Sequence, residues 1–208
     1  MPPNVSFQID DAEASWTFAK GSFDLVHIRH LNGGIKDWGR LVKQAYESAP
    51  PLFLTLLLSF SPADGPNRSL RPGGYIDITE YEFELFSDDD SLPKSSAISK
   101  YYELVNEAAS KTGQEFRIAA NLNPLLEAAG FAGIHHEVVK LPLGPWAAEK
   151  KQKEIGAYLL LTTENGFEAF GLAALTRVNG MSVEDAEDLI GRTKKDSRSR
   201  HFHCYSKK

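Results

Sequence analysis

Basic side chains end one of the apolar runs in the sequence. His27 and Arg29 close the run Phe23–Arg29, which follows Gly21-Ser22 and precedes a second glycine-rich stretch. In a strand, their spacing of two places both side chains on the same face. Open α/β sheets bind ligands at the carboxyl ends of their strands. His27 and Arg29 are therefore candidate ligand-binding residues, unless each only satisfies local backbone groups or reaches solvent.

Acidic side chains end two further apolar runs. Asp11, which Ala12 follows, comes after Val5–Ile9, and Glu80 lies near the end of Tyr75–Phe83. A carboxylate at a strand end can accept hydrogen bonds from a bound ligand or face a reaction centre. The alternative is that the Asp11 carboxylate caps a turn and that Glu80 is a plain strand-end acid. These patterns assign no catalytic residue.

Histidine pairs in the sequence do not predict a metal site. His135 and His136 are adjacent, so in a strand they point to opposite faces of the sheet. His201 and His203 would share a face, but a structural zinc site needs a second, distant pair of ligands. We therefore predict no bound metal.

Composition and charge argue against several classes of protein. The 208 residues suffice for one domain, and 42% hydrophobic with 25% charged residues is typical of a globular protein. A net charge of −5 argues against a general nucleic-acid binder. The longest apolar run, Pro50–Phe60, is far shorter than the ~20 residues of a membrane span. We expect a soluble protein of the cytoplasm or nucleus, with no nucleic acid or membrane as a direct partner.

Strand and helix patterns alternate along the chain, which is typical of an α/β protein with a mainly parallel sheet. Asp37 is a predicted N-cap for a helix over Trp38–Ser48, and Ser182 is a predicted cap further along the chain. The predicted strands are Val5–Ile9, Phe23–Arg29, Tyr75–Phe83, Ile134–Leu143 and His201–Tyr205. The remaining predicted helices are Ser95–Lys111, Ile118–Ala129, Trp146–Thr163, Phe167–Arg177 and Val183–Arg192.

One segment, residues 48–69, breaks this alternation. It combines clustered Leu and Phe residues with scattered prolines and has no helical or strand period. Connections inside a compact domain are usually about 4–6 residues long. We interpret the segment as an insert in a single domain over residues 1–208, of the kind that a retained intron would encode.

With that segment set aside, the order of the remaining motifs resembles a known family. The motifs are FQIDDAEASWTF, FDLVHIRHLNGGIKDWGRLVKQAY, RPGGYIDITEYEFELFSDD, NLNPLLEAAGF and LPLGPWAAEKKQKEIGAYLL. Together they are similar to the fungal LaeA-like (TAM-domain) methyltransferases, which are class I enzymes that use S-adenosylmethionine. No single motif is decisive, and the resemblance depends on their shared order over nearly the whole chain.

The resemblance implies a Rossmann-like sheet with strand order 3-2-1-4-5-7-6 and helical additions after strands five and six. The five predicted strands would then be strands three to seven in chain order. By that mapping the first two strands are absent, and with them the glycine-rich turn and the acid that grip the cofactor. We therefore expect an N-terminally truncated domain that is aggregation-prone when expressed alone and binds S-adenosylmethionine weakly or not at all.

The resemblance also implies roles for the candidate residues. Asp11 would accept from the adenine amino group of S-adenosylmethionine, and the Ala12 N–H would donate to the adenine ring. Arg29 or His27 would contact the carboxylate end of the cofactor or the methyl acceptor. Glu80 and Trp146 would lie near that acceptor, although aromatic residues at helical spacing, such as Trp146, are more often part of a core.

Two readings of function stay open at this point. The first is methyl transfer from S-adenosylmethionine to a small-molecule or protein acceptor, in the setting of fungal secondary metabolism. The second is a catalytically inactive relative that acts as a regulatory or interaction protein. A nicotinamide oxidoreductase is disfavoured because the chain has no GxGxxG motif.

Overall fold

The computed structural model describes residues 3–19, 21–49 and 68–208. The chain divides into two compact units. Unit 1 comprises Met1–Arg29, Ile35–Ile78 and Asn123–Ile134, and unit 2 comprises His30–Gly34, Thr79–Leu122 and His135–Lys208. Residues 50–67, most of the predicted insert, lie outside the described residues, so the insert and the single domain stay predictions.

Unit 1 contains a small sheet and a helix that packs through one face. Its sheet has the order β1-β3-β2, where β2 and β3 pair antiparallel through Ala49 and Arg68. The strands are β1 (Phe23–Arg29), β2 (Ser48–Ala49) and β3 (Arg68–Thr79), and the helices are α1 (Trp38–Glu47) and most of α3 (Leu122–Ala129). The bounds of β1 are the predicted ones.

Helix α1 forms as its sequence predicts. The Asp37 carboxylate accepts a hydrogen bond from the Arg40 N–H at 2.8 Å, which is the expected N-cap contact. The buried face of the helix consists of the residues at helical spacing, Trp38, Leu41, Val42 and Ala45. Because these side chains recur every three or four residues, one face of the helix becomes apolar and packs inward.

The predicted strand Val5–Ile9 is not a strand in the structure. This segment is irregular and exposed, with the Phe7 side chain 81% exposed. An extended segment becomes a strand only when a neighbouring strand accepts and donates its backbone hydrogen bonds. In the described part of the chain no such partner lies beside Val5–Ile9. The strand prediction for this segment is therefore wrong.

Unit 2 combines a second sheet with three long helices. The sheet has the order β4-β6-β5, and both pairings are antiparallel, with Phe86 opposite Tyr205 and Leu141 opposite Ser206. The strands are β4 (Phe86–Ser87), β5 (Lys140–Pro142) and β6 (Cys204–Lys207). The helices are α2 (Ala97–Lys111), α4 (Lys150–Ala173) and α5 (Val183–Ser197), with a 3-10 turn at Ile118–Asn121 and a π-helical turn at Ala174–Val178.

The core of unit 2 lies between these helices. Tyr101 of α2 and Phe167 of α4 are almost fully buried and meet edge to face at 5.1 Å between ring centroids. The Tyr101 hydroxyl donates to the Phe167 carbonyl at 2.8 Å, so the buried hydroxyl is satisfied. Ser182 caps α5, as predicted, by accepting from the Asp185 N–H.

Three predictions for unit 2 need correction. Strand β6 covers Cys204–Lys207 and so begins and ends later than the predicted strand His201–Tyr205. Strand β5 covers only Lys140–Pro142 of the predicted strand Ile134–Leu143. The predicted helices Trp146–Thr163 and Phe167–Arg177 are one continuous helix, α4. Gly166 lies between the two predicted helices, but a glycine costs a helix only about 1 kcal/mol, and the buried Phe167 keeps the next turn packed on the core.

The fold is thus mixed α/β, which confirms that part of the predicted fold class. The sheet of unit 2 is antiparallel, while the chain segments beyond β1 and β3 run parallel, as their hydrogen bonds below establish. No helix among the described residues is both long and apolar enough to span a membrane.

Candidate functional site

A buried carboxylate holds the loop that follows β1. Glu80 comes directly after β3 and is only 3% exposed. Its carboxylate accepts hydrogen bonds from the backbone N–H groups of Leu31 at 2.7 Å and Asn32 at 3.3 Å. The His30 N–H donates to the Thr79 carbonyl at 3.1 Å. The residue numbers of the hydrogen-bonded partners rise together, from His30 with Thr79 to Leu31 with Glu80. The segments after β1 and β3 therefore run in the same direction.

Glu80 is therefore a positioning group for this loop. Burial raises the pKa of the Glu80 carboxyl, while the two backbone donors from Leu31 and Asn32 act to lower that pKa. Both N–H groups would lack an acceptor without the carboxylate, because they lie in a loop and not in a helix or sheet. The side chain is not among the residues that line the cavity described next.

The loop His30–Gly34 has a defined shape. The Asn32 side chain donates to the Tyr81 carbonyl at 2.8 Å, and the His30 ring stacks on the Tyr81 ring at 4.5 Å. Gly33 has a φ of +79°, and a Cβ atom there would overlap the Phe116 ring. Glycine is thus required at this position both for the backbone angle and for the close approach of the ring.

A cavity of about 470 Å³ opens beside this loop, within unit 2. Small-molecule sites usually have volumes of about 300–1,000 Å³. Part of its wall comes from residues immediately after β1 and β3, where open α/β sheets bind ligands. The aromatic and aliphatic lining residues are Tyr81, Phe83, Leu85, Tyr101, Tyr102, Phe116, Leu143, Leu159, Phe167 and Phe170. The other lining residues are His30, Asn32, Glu82, Thr162, Thr163, Gly166 and Ser206.

Glu82 places a carboxylate in this lining. Its Oε1 atom accepts from the Ala120 N–H at 2.9 Å, and its own N–H donates to the Lys207 carbonyl at 2.9 Å. Burial is the largest influence on the Glu82 carboxyl and raises its pKa. Glu84 acts in the same direction, while the Ala120 N–H and the positive charges of Lys207 and Arg117 oppose it.

One side of helix α4 forms the opposite wall. Thr162 and Thr163 donate their hydroxyl hydrogens to the carbonyls of Tyr158 and Leu159. Their donors are therefore used inside the helix, and a ligand would meet their methyl groups or hydroxyl lone pairs. Gly166, one turn further along, presents no side chain to the cavity.

Asp11 and Ala12 lie in the N-terminal segment of unit 1 and form a local turn. The exposed Asp11 carboxylate accepts from the Glu13 N–H at 2.9 Å, and the Ala12 carbonyl accepts from the Trp16 indole at 3.1 Å. These contacts match the turn-capping alternative. The adenine-binding role of both residues stays a prediction.

His27 and Arg29 share one exposed face of β1, as their spacing predicts. The His27 Nδ1 atom lies 2.8 Å from the Asp77 carboxylate in the neighbouring strand. Together with the local contacts of Asp11 and Ala12, this arrangement leaves three of the predicted cofactor residues, Asp11, His27 and Arg29, exposed in unit 1 and Ala12 half-buried. As arranged, they do not enclose S-adenosylmethionine, so the described part of unit 1 does not by itself fit the cofactor.

Trp146 has a packing role. Its indole N–H donates to the Cys204 carbonyl at 2.9 Å, and its ring stacks beside His203 at 5.2 Å. It is not among the cavity-lining residues, so the structure brings neither Trp146 nor Glu80 into the lining.

The His203 Nδ1 atom contacts the Asp89 carboxylate at 2.6 Å. Among the described residues, no group of three or more His, Cys, Asp or Glu side chains is arranged to hold a metal.

Sequence reasoning missed most of the cavity. Glu82 could have been found, because it follows Glu80 by two residues at the end of a predicted strand. Phe116 and Phe170 carry no such signal, since they lie far apart in the sequence and only packing brings both to one cavity. Gly166 lies in the gap between two predicted helices and was not predicted to be part of a site.

Comparison with known proteins identifies relatives over nearly the whole chain. No protein-family model matches it. The chain is 28% identical to "Methyltransferase pytC" of Aspergillus terreus over 203 residues, which is 98% of this chain and 56% of the relative. It is 28% identical to "Secondary metabolism regulator LAE1" of Cochliobolus heterostrophus over 99% of this chain and 61% of the relative. It is 25% identical to "Protein-methionine methyltransferase laeA" of Emericella nidulans over 99% of this chain and 50% of the relative.

The chain spans about half the length of the curated relatives that it matches. The names of these relatives agree with the resemblance inferred from the order of the motifs, which run from FQIDDAEASWTF to LPLGPWAAEKKQKEIGAYLL. Matches of this extent, with several proteins of related name, do not depend on any single motif. The chain is therefore a homologue of the LaeA-like methyltransferases.

Proposed function

We propose that the protein takes part in methyl transfer from S-adenosylmethionine and that the cavity of unit 2 binds the methyl acceptor. One observation carries the proposal. The cavity is built in part from His30 and Asn32, just after β1, and from Tyr81, Glu82 and Phe83, just after β3. Residues that follow neighbouring parallel strands are where open α/β sheets bind their ligands.

The strand orders support a class I methyltransferase arrangement. In unit 1 the neighbours β1 and β3 correspond to strands four and five of the family order. In unit 2 the order β4-β6-β5 corresponds to the end of strand five, then strand seven, then strand six. Each sheet by itself thus agrees with one part of the order 3-2-1-4-5-7-6.

The residues of the chain would act by positioning the acceptor. The sulfonium of S-adenosylmethionine supplies the methyl group, and its transfer depends mainly on holding the acceptor atom close and in line. Glu80 fixes the loop that carries His30 and Asn32, and the aromatic residues of the lining offer the acceptor an apolar surface. Because the described residues do not enclose the cofactor, we infer that its binding needs contacts beyond them.

The acceptor is a small molecule or a protein. A relative named as a protein-methionine methyltransferase favours a protein acceptor, whereas a cavity of about 470 Å³ favours a small molecule. We propose the small molecule, because a cavity with mainly apolar walls suits a whole compact ligand better than one side chain of a protein.

A second candidate is a catalytically inactive relative that regulates or binds other proteins. The observation in its favour is that Asp11, His27 and Arg29 are exposed and that Asp11, Ala12 and His27 already have local partners. Relatives named as regulators of secondary metabolism fit this candidate as well.

A labelling experiment separates the two candidates. The gene product is tagged, recovered from its native host and incubated with S-adenosylmethionine tritiated in the methyl group and with a small-molecule extract of the host. We expect label in the organic-soluble fraction and its loss when Gly166→Leu narrows the cavity. Label in the protein fraction alone would identify a protein acceptor, and no transfer to either fraction would refute the proposed function.

A further inference from the structure

Helix α4 contains three glycines, and close packing accounts for two of them. A Cβ atom at Gly156 would overlap the backbone carbonyl of Gly144, and one at Gly171 would lie 2.5 Å from the Tyr101 ring. At Gly166 a Cβ would meet only the Phe170 ring, at 3.4 Å, which is an ordinary contact distance. Since glycine costs a helix about 1 kcal/mol relative to alanine, Gly166 weakens α4 without a packing reason.

The cavity supplies a reason for Gly166. This glycine and Phe170, its one near neighbour, both line the cavity wall that α4 forms. A longer side chain at position 166 would extend past Phe170 into the cavity volume. The missing side chain therefore keeps the cavity open at this point.

The charges of the lining limit what the cavity can hold. Of the described residues that line it, none is Lys or Arg, while Glu82 contributes a carboxylate and His30 an imidazole. The positive charges of Lys207 and Arg117 act to lower the pKa of Glu82, but neither residue lines the cavity. An anionic ligand would lose its hydration without a fixed positive partner, which is unfavourable in an apolar site. A neutral or positively charged ligand avoids this cost.

The aromatic residues set the ligand's shape. Phe83 packs against Tyr102 at 4.7 Å and against Phe116 at 5.3 Å between ring centroids. The Phe83 ring is tilted by 37° to the Tyr102 ring and by 62° to the Phe116 ring, so each ring offers its own flat apolar face. Such a face can stack on a planar ligand and attract a cation. Flat ring systems fit surfaces of this kind better than bulky branched molecules do.

We propose that the unit 2 cavity is a binding site for a flat, mainly apolar small molecule that is neutral or positively charged. Its polar group lies toward Glu82, and Gly166 keeps the site open. The inference rests on the proposed function only in that such a molecule would be the methyl acceptor. Binding itself requires no methyl donor, so the site can be tested without any reaction.

The first test compares three probes that share one ring system and differ in charge. 2-Naphthol is neutral, 2-naphthylmethylamine is positively charged and 2-naphthoate is negatively charged at pH 7.5. Calorimetric titration should give dissociation constants on the order of 100 μM for the first two and at least about tenfold weaker binding for naphthoate. Glu82→Gln should reduce the preference for the amine over naphthoate. Equal binding of all three probes would overturn the charge argument.

The second test uses position 166. Gly166→Leu should weaken naphthol binding at least about tenfold, and Gly166→Ala should weaken it less, because only the longer side chain fills the cavity. Asn165→Leu adds the same side chain at the neighbouring exposed position and should leave binding unchanged. Thermal unfolding of each variant checks that it is folded. Binding by Gly166→Leu equal to that of the unaltered protein would overturn the proposed site.

The two proposals fail in different ways. If the probes bind in the expected order and the labelling experiment shows no transfer, the site stands and the methyltransferase function falls. If transfer occurs and Gly166→Leu neither loses probe binding nor reduces transfer, the acceptor binds elsewhere.

Discussion

The Glu80 carboxylate lies 2.7 Å from the backbone N–H of Leu31, although 49 residues separate them in the sequence. The same carboxylate accepts from the Asn32 N–H. This contact ties the loop after β1 to the segment after β3, and both contribute residues to the wall of the cavity. The shape of the candidate acceptor site thus depends on one buried acid that does not line the cavity.

Replacement of Glu80 should destabilise the protein by an amount that depends on whether the new side chain can still accept hydrogen bonds from the Leu31 and Asn32 N–H groups. Glu80→Ala leaves two half-buried N–H groups without their acceptor and should lower the free energy of unfolding by about 1–3 kcal/mol. Glu80→Gln keeps one acceptor oxygen but turns an NH2 donor toward the other N–H group, so it should lower the free energy of unfolding by less than Glu80→Ala does. Urea denaturation measures both. Glu84→Ala, at a more exposed acid paired with Arg117, is the control, and a Glu80→Ala effect no larger than this control would contradict the assignment.

Glu82 should make stability depend on pH above its ordinary pKa of 4.5, because burial raises its pKa in the folded protein. As the pH rises from 4.5 through the raised value, the unfolded chain loses its proton first, so the free energy of unfolding falls. Glu82→Gln should show a smaller fall over this window. Burial also raises the pKa of Glu80, which therefore adds the same fall to both proteins. Asp88 and Asp89 have lowered pKa values, so their contributions to stability change below pH 3.8, outside the window. Urea denaturation at intervals from pH 4.5 to 7.5 compares the two proteins, and identical slopes would refute the prediction.

Substitution of two glycines of α4 by alanine should change the stability of the protein in opposite directions. Gly171→Ala would force a methyl group against the buried Tyr101 ring and should cost about 1–3 kcal/mol of stability. Gly166→Ala removes a helix-weakening glycine without a clash and should add about 0.5–1 kcal/mol. Thermal unfolding of the two variants side by side is the measurement. Equal effects of the two substitutions would mean that the packing of α4 differs from that described.

The purified chain of 208 residues should bind S-adenosylmethionine weakly. Asp11 is exposed and engaged in a local turn, and His27 is paired with Asp77. Groups with such partners, on an open surface, offer little free energy to a ligand, so we expect a dissociation constant above about 1 mM. Isothermal titration calorimetry measures it. A micromolar constant would show that these residues, or others beyond the described part, do form a cofactor site.

Much of the local structure could be predicted from the sequence. The bounds of β1, the buried face of α1 and the caps Asp37 and Ser182 all follow from short-range patterns. Such features depend on residues within a few positions of one another, so their physics is visible in the sequence. The order of the motifs likewise identified the LaeA-like relatives.

The tertiary structure alone decided the rest. Val5–Ile9 has the composition of a strand but lacks a partner among the described residues, and Gly166 does not interrupt α4, because Phe167 packs on the core. The cavity joins Phe116 and Phe170 to the loop that Glu80 holds. Strand pairing, burial and long-range hydrogen bonds depend on distance in space. The sequence therefore determined the similarity to the LaeA-like proteins and the local elements, and packing determined the site.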